Sequence, residues 1–402
     1  MNERSRSGPL SGIRVLDFTA MVSGPGTTAI LCDQGAEIIK IEPLEGDLIR
    51  TAARNQRGLS APFVVLNRGK RSLAVNLKRK EGRDIVQAIL PTVDVLVHNF
   101  RAGAMDRLGF SEHAVRESFP NLIYVTISGF GRRGPLAGQR VYDPLVQAMC
   151  GMAAIQRQTL ENPPEIVRTI VPDTVMGYAT AQAITAALFA RANGKGGQSI
   201  DVSMLGVMTS FMWVSSMLND TFVDWDYEGK RQPGMQNVVY ATTDSYIVIN
   251  VLSDHEWHGL CRALETEQWE SKDMFATPAA RQMHSLELRD AIAEVIKQNN
   301  SAYWLARLTG EDVPCAPVVS PAELFGNEQI RANEIIVEVN HPVVGRTHQP
   351  RHWAEFDKTP AAPNFNAPLM GAQSHEVLEG LGYSRGDIEG LVAGGVVGLP
   401  PI

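Results

Sequence analysis

The chain has 402 residues, 44% hydrophobic and 20% charged, with a formal net charge of −7. That balance is ordinary globular protein; it excludes disordered and fibrous material and argues against a nucleic-acid surface as the main partner. No run reaches the roughly 18 apolar residues of a membrane span, the polar start MNERSRSGPLSG lacks the apolar core of a secretory signal, and Cys32, Cys150, Cys261 and Cys315 form no CxxC pair. A cytoplasmic protein with no membrane partner, no disulfide framework and no bound metal is therefore expected.

In chain order, 12–18 reads as a buried strand, 27–33 as a helix and 36–41 as a second buried strand. A short strand at 72–75, an amphipathic helix at 80–90 and buried strands at 93–97 and 122–127 follow. Buried strands alternating with helices predict βαβ units and a parallel sheet covered on both faces. A strand at 199–202 leads into a Met- and Trp-rich helix at 204–218, and 224–237 is polar and irregular. Beyond it, a strand at 246–251, helices at 256–264, 286–298 and 302–308, and a loop or edge strand near 314–318 predict a second, smaller α+β domain. The Pro-bearing tail carries helices near 374–381 and 388. The expected division is a large α/β domain of residues 1–205 with 325–402, and a linker and small domain of residues 206–324.

Two local motifs point towards chemistry. Gly24-Pro-Gly26-Thr-Thr-Ala29 has the outline of a dinucleotide fingerprint, with Glu42 ending the next strand. The residues between strand and glycines, and the N–H lost at Pro25, speak against a pyrophosphate cradle and for close helix packing. In 170–177 (IVPDTVMG), Asp173 stands where an extended run meets an Ala-rich helix. It is either a helix N-cap or a carboxylate kept ionised by the helix terminus for catalysis. His255-Glu-Trp-His258 departs from HExxH spacing and reads as a polar helix face.

An ordered series of blocks resembles the class III CoA-transferases, the group that includes formyl-CoA transferase, carnitine CoA-transferase and α-methylacyl-CoA racemase. The blocks are 8–18 (GPLSGIRVLDF), 35–42 (GAEIIKIE), 67–72 (NRGKRS), 97–107 (VHNFRAGAMDR), 128–131 (SGFG), Tyr142-Asp143, 194–204 (GKGGQSIDVSM), 341–345 (HPVVG) and 367–371 (APLMG). The resemblance implies a Rossmann-like large domain, an interlocked homodimer and coenzyme A thioesters as substrates, with no tightly bound cofactor. It implies that Asp173 is the nucleophile, carrying first an acyl mixed anhydride and then a CoA thioester. It also implies CoA contacts at Val22, Ser23, Val75, Lys78, Asn99, Phe100, Arg101, Arg107 and Arg140. Pro43 departs from the Arg that formyl-CoA transferase-like members carry after the Lys-Ile-Glu strand.

The racemase branch carries His where this chain has Tyr142, and a phenol of ordinary pKa ~10 is a poor base at neutral pH. The expected activity is therefore transfer of CoA between an acyl-CoA donor and a small carboxylic acid. Some relatives of this pattern use succinyl-CoA and dicarboxylates. A racemase and a non-catalytic CoA-binding partner subunit are the alternatives. Asp143 is read as a substrate contact or a helix cap, and Tyr142 as a neighbour of the substrate. Arg54, Arg57, Arg68 and Arg168 are candidate partners for a second carboxylate. Gly229 and Gly234 alone punctuate the region where formyl-CoA transferases carry a glycine-rich loop.

Overall fold

A computed structural model describes residues 7–52, 55–157, 161–217, 220–224, 238–361 and 364–400. Two compact units are present, one of Met1–Gly234 with Glu334–Ile402 and one of Met235–Asn333.

The apolar runs of the first half become parallel strands: β1 (Arg14–Asp17), β2 (Glu37–Glu42), β3 (Arg71–Val75), β4 (Val95–His98), β5 (Ile123–Ser128) and β6 (Ser199–Ser203). They lie in the order β3-β2-β1-β4-β5-β6, and β7 (Val397–Gly398) pairs antiparallel along the outer side of β3. This is the doubly wound dinucleotide-fold order, in which ligands lie beyond the strands' carboxyl ends where the winding reverses, here between β1 and β4. Val15 stands opposite both Ile38 and Val95 and fixes that register.

Because side chains alternate across a strand, each apolar run serves two cores. Val15, Ile38, Val97 and Val125 face one core with α1 (Ser23–Asp33), α4 (Val171–Ala190) and α5 (Met204–Ser216). Leu16, Ile39, Leu73 and Leu96 face the other, with α2 (Lys80–Ile89) and the tail residues Val377, Leu378 and Ile388. Between β5 and α4 lies the short helix α3 (Asp143–Met149).

The division differs from the expected one because Met204, Met208 and Met212 of α5 are buried in the large unit's core. The expectation also missed β7 and the hairpin Ile336–His341/Gly345–Pro350. The smaller unit holds an antiparallel sheet of Val239–Ala241, Tyr246–Ile249 and Cys315–Pro317, with its own core around Trp257, Leu260 and Trp304.

Candidate active site

The site starts at the carboxyl end of β1. Asp17 is fully buried and accepts from Thr19 N (2.8 Å), Thr19 Oγ1 (2.6 Å) and Thr28 Oγ1 (2.6 Å), with Lys70 Nζ at 3.2 Å. Burial raises its pKa, but Lys70, Lys40 and the two hydroxyls outweigh that, so it lies below the ordinary carboxylate value. The Lys70 ammonium, also buried, is pushed down to about 8, chiefly by desolvation. The next residues are held from both sides. Asn99 donates to Ala20 O (2.8 Å) and accepts from Ala20 N (3.0 Å), while Asp47 accepts from Met21 N (3.2 Å) and from Lys40 Nζ (2.9 Å). These bonds hold Met21 at φ 70°, a left-handed conformation uncommon outside glycine.

Helix α1 then begins at Ser23, so the glycines of the fingerprint-like motif lie inside its first turn. A Cβ on Gly24 would lie 2.3 Å from Thr19 Cβ. Pro25 costs nothing there, because the first N–H groups of a helix have no intrahelical acceptor. Gly24 thus serves packing.

Helix α4 crosses this turn at Gly177, where a Cβ would stand 3.5–3.6 Å from Thr27 N, Gly26 C and Ser23 O. Asp173 is one turn earlier on the same face, since residues four apart in a helix are neighbours. Its half-buried carboxylate lies near Ser23, whose hydroxyl and backbone N–H favour the charged form, yet its pKa is raised to about 6. Desolvation is the main cause and the Asp143 charge the second; the Ser23 groups pull the other way. At neutral pH it is mostly ionised, though less firmly than the helix-terminus argument implies.

Neither carboxylate is an N-cap. The cap positions are Ile170 and Tyr142, which make no side-chain cap bond. Instead the buried Asp143 reaches across from α3 and accepts the Asp173 N–H through Oδ2 at 3.1 Å, one of the donors the missing cap leaves open. Asp143 Oδ1 accepts from Gln147 Nε2 at 2.6 Å. Gln147 was not anticipated; its spacing of four from Asp143 in a Pro-started helix is the one signal that pointed to it.

Residues 10–374 match the family model described as CoA-transferase family III. The chain belongs to that family. A formyl-CoA:oxalate CoA-transferase from Escherichia coli O6:H1 is 30% identical, with 95% of this chain and 98% of that protein covered. A CAIB/BAIF family protein from Brucella suis superposes with a TM-score of 0.79 at 27% identity, covering 94% of this chain and 100% of the other. Rv3272 from M. tuberculosis gives a TM-score of 0.81 at 26% identity, covering 92% and 99%.

In this family III chain Lys78, Phe100, Arg101, Arg107 and Arg140 all follow the carboxyl ends of β3, β4 or β5, and the four cations among them are exposed. Phe100 packs edge-on against Phe18 at 6.3 Å. Val22 leans on Ile49, Phe63 and Val64 beside Ser23. Val75 does not join them by its side chain, which is 1% exposed in the core under β7. The Asn99 amide is engaged with Ala20 in both directions, so its observed work is to hold the loop. Tyr142 is 60% exposed beside Asp143, and Arg57 and Arg168 are also exposed. Arg68 is not available to a substrate, because its guanidinium is paired with buried Asp33. Arg54, Gly229 and Gly234 lie outside the described residues. Among the described residues, no cluster of three or more His, Cys, Asp or Glu is set to hold a metal, and no helix is long and apolar enough to cross a membrane.

Proposed function

We propose that the chain moves CoA from an acyl-CoA donor to a small carboxylic acid, with Asp173 as the covalent carrier. The observation that carries this reading is the Asp173 carboxylate itself: half-buried beside Ser23, raised to about 6, at the winding reversal where α/β folds receive ligands. A carboxylate oxygen of Asp173 attacks the donor thioester carbon; the C–S bond breaks and CoA leaves as thiolate, giving a mixed anhydride. The thiolate attacks the Asp173 carbonyl and expels the donor acid, giving an aspartyl-CoA thioester. The acceptor carboxylate attacks that thioester, the thiolate leaves again, and its attack on the new acyl carbon returns Asp173 as carboxylate. No proton is gained or lost over the cycle. Ser23 N–H and Oγ–H, near the Asp173 carboxylate, are the donors proposed to meet each tetrahedral oxyanion.

In this reading Lys78, Arg101, Arg107 and Arg140 meet the CoA phosphates, Phe100 walls the adenine, and Val22 and Ser23 flank the thiol end. Asn99 and Val75 contribute by shaping the loop and the sheet edge beneath it. Tyr142 and Arg168 border the acid. The acid is small; relatives named formyl-CoA:oxalate CoA-transferase support that, and succinyl-CoA with a dicarboxylate is the proposed pair. A homodimer is part of the same proposal, since Leu145, Met149, Tyr178, Phe189, Phe211 and Val214 are exposed on α3, α4 and α5.

The test is to incubate the protein with pairs of acyl-CoA and free acid, succinyl-CoA and formyl-CoA among the donors, and to follow exchange by mass spectrometry. The expected result is exchange with a mass adduct on Asp173, and neither in Asp173→Asn. Full activity in Asp173→Asn would overturn the reading, and deuterium wash-in at the α-carbon without exchange would point to a racemase.

A further inference from the structure

Gln147 is 1% exposed, and its carboxamide bonds through both the nitrogen and the oxygen within the large unit. One Nε2 hydrogen goes to Asp143 Oδ1 at 2.6 Å, and the other is shared between Val167 O and Thr169 O, both at 3.2 Å. Its Oε1 accepts the Val167 N–H at 2.8 Å. Val167 and Thr169 are on the segment that enters α4, so one side chain ties α3 to the backbone just before Asp173. The remaining tie is Asp143 Oδ2 to the Asp173 N–H at 3.1 Å.

The arrangement has a direction. Satisfying the backbone at Val167 and Thr169 needs an amide but does not need the bond to Asp143. That bond, the shortest of the four, sets which way the Asp143 carboxylate turns. Without it, Asp143 is free to rotate away from the first turn of α4. The Asp173 N–H then loses its acceptor at a helix start whose own cap residue, Ile170, offers none.

We propose that Gln147 is a positioning residue for the transfer reaction: it orients Asp143 beneath the first turn of α4 and thereby fixes Asp173 for attack. This rests on the reading of Asp173 as nucleophile. Gln147 acts through Asp143, so its loss falls on the chemical step and not on binding of the thioester.

The test is a double-mutant cycle on the full chain, with kcat and KM for acyl-CoA, thermal unfolding and the Asp173 adduct read in parallel. Gln147→Met keeps an unbranched side chain of similar volume. Gln147→Glu keeps the acceptor for Val167 N–H and removes every donor, so it decides the matter if Gln147→Met fails to fold. The expected result is a kcat about 10- to 100-fold lower with KM changed less than about twofold, since small misplacements of a reacting group cost this much. On an Asp143→Asn background, either change should lower kcat by less than about twofold further, because the two residues form one network. Folded variants with wild-type kcat, or losses that multiply across the cycle, would overturn the proposal. Active wild-type protein without an Asp173 adduct would instead overturn the nucleophile reading, whatever the variants do.

Discussion

Asp173 carries a pKa of about 6, pushed up by burial and then by Asp143. As the proposed nucleophile it must be ionised, so kcat/KM should fall below pH 6 along a single acid limb. Asp143→Asn removes the like charge, so the limb should move to lower pH; a limb that stays put would assign it to another group. The same shift has a cost in stability. The folded pKa lies above the ordinary value of 3.8, so the folded state binds the proton more tightly, and stability is lost as pH rises from about 4 through about 6. Asp173→Asn should therefore unfold at a higher temperature than wild type at pH 7.5, by about 1 kcal/mol after allowing for solvent. The difference should vanish near pH 4, and calorimetry at the two pH values checks both ends.

At the level of the element, the loop and first turn of α1 are where local sequence mattered most and was read least completely. Short apolar runs located β1 to β5, which bury both faces, and helical spacing located the longer helices α1, α2 and α4; the short helices Ala61–Leu66, Ala104–Leu108 and Glu112–Ser118 were missed. The same patterns missed β7, two residues long and held by a partner more than 300 residues away, and the Ile336–Pro350 hairpin, whose exposed strands carry little apolar alternation. Family blocks marked Asp173 and Asp143, whereas the Asp143 bond to Asp173 N–H joins residues 30 apart and no local pattern encodes it. Arg68 shows the converse, since residue type suggested ligand contact and the structure pairs it with Asp33; Val75, expected at the CoA site from the family resemblance, has its side chain in the core. The Gly24-Pro25-Gly26 motif offers a direct check of the packing account. Gly24→Ala drives a Cβ into Thr19 at 2.3 Å, whereas Gly26→Ala meets only Leu66 Cδ2 at 3.6 Å. Gly24→Ala should cost about 1–3 kcal/mol in denaturant unfolding and depress exchange; Gly26→Ala should leave stability within about 1 kcal/mol. Equal effects would mean that the glycines are kept for backbone freedom or for a ligand.

At the level of the molecule, the large unit is assembled from both ends of the chain, and the smaller unit, inserted between them in sequence, has a core of its own. The apolar residues left exposed on α3, α4 and α5 make a solution mass of twice the chain the expected result in light scattering at micromolar concentration. A chain-mass particle under those conditions would count against the proposed homodimer.

The sheet's outer strand β3 gets its last neighbour from Val397–Gly398, and Ser72 and Ala74 of β3 take hydrogen bonds with Gln373 and Ser374. During synthesis β3 leaves the ribosome some 300 residues ahead of these partners. At about 5–20 residues per second, that is a wait of tens of seconds with an unpaired strand edge. The inserted unit, whose contacts are all within about 100 residues, is complete well before the unit that encloses it in sequence. Chaperone demand and sensitivity to C-terminal tags should therefore concentrate on β3.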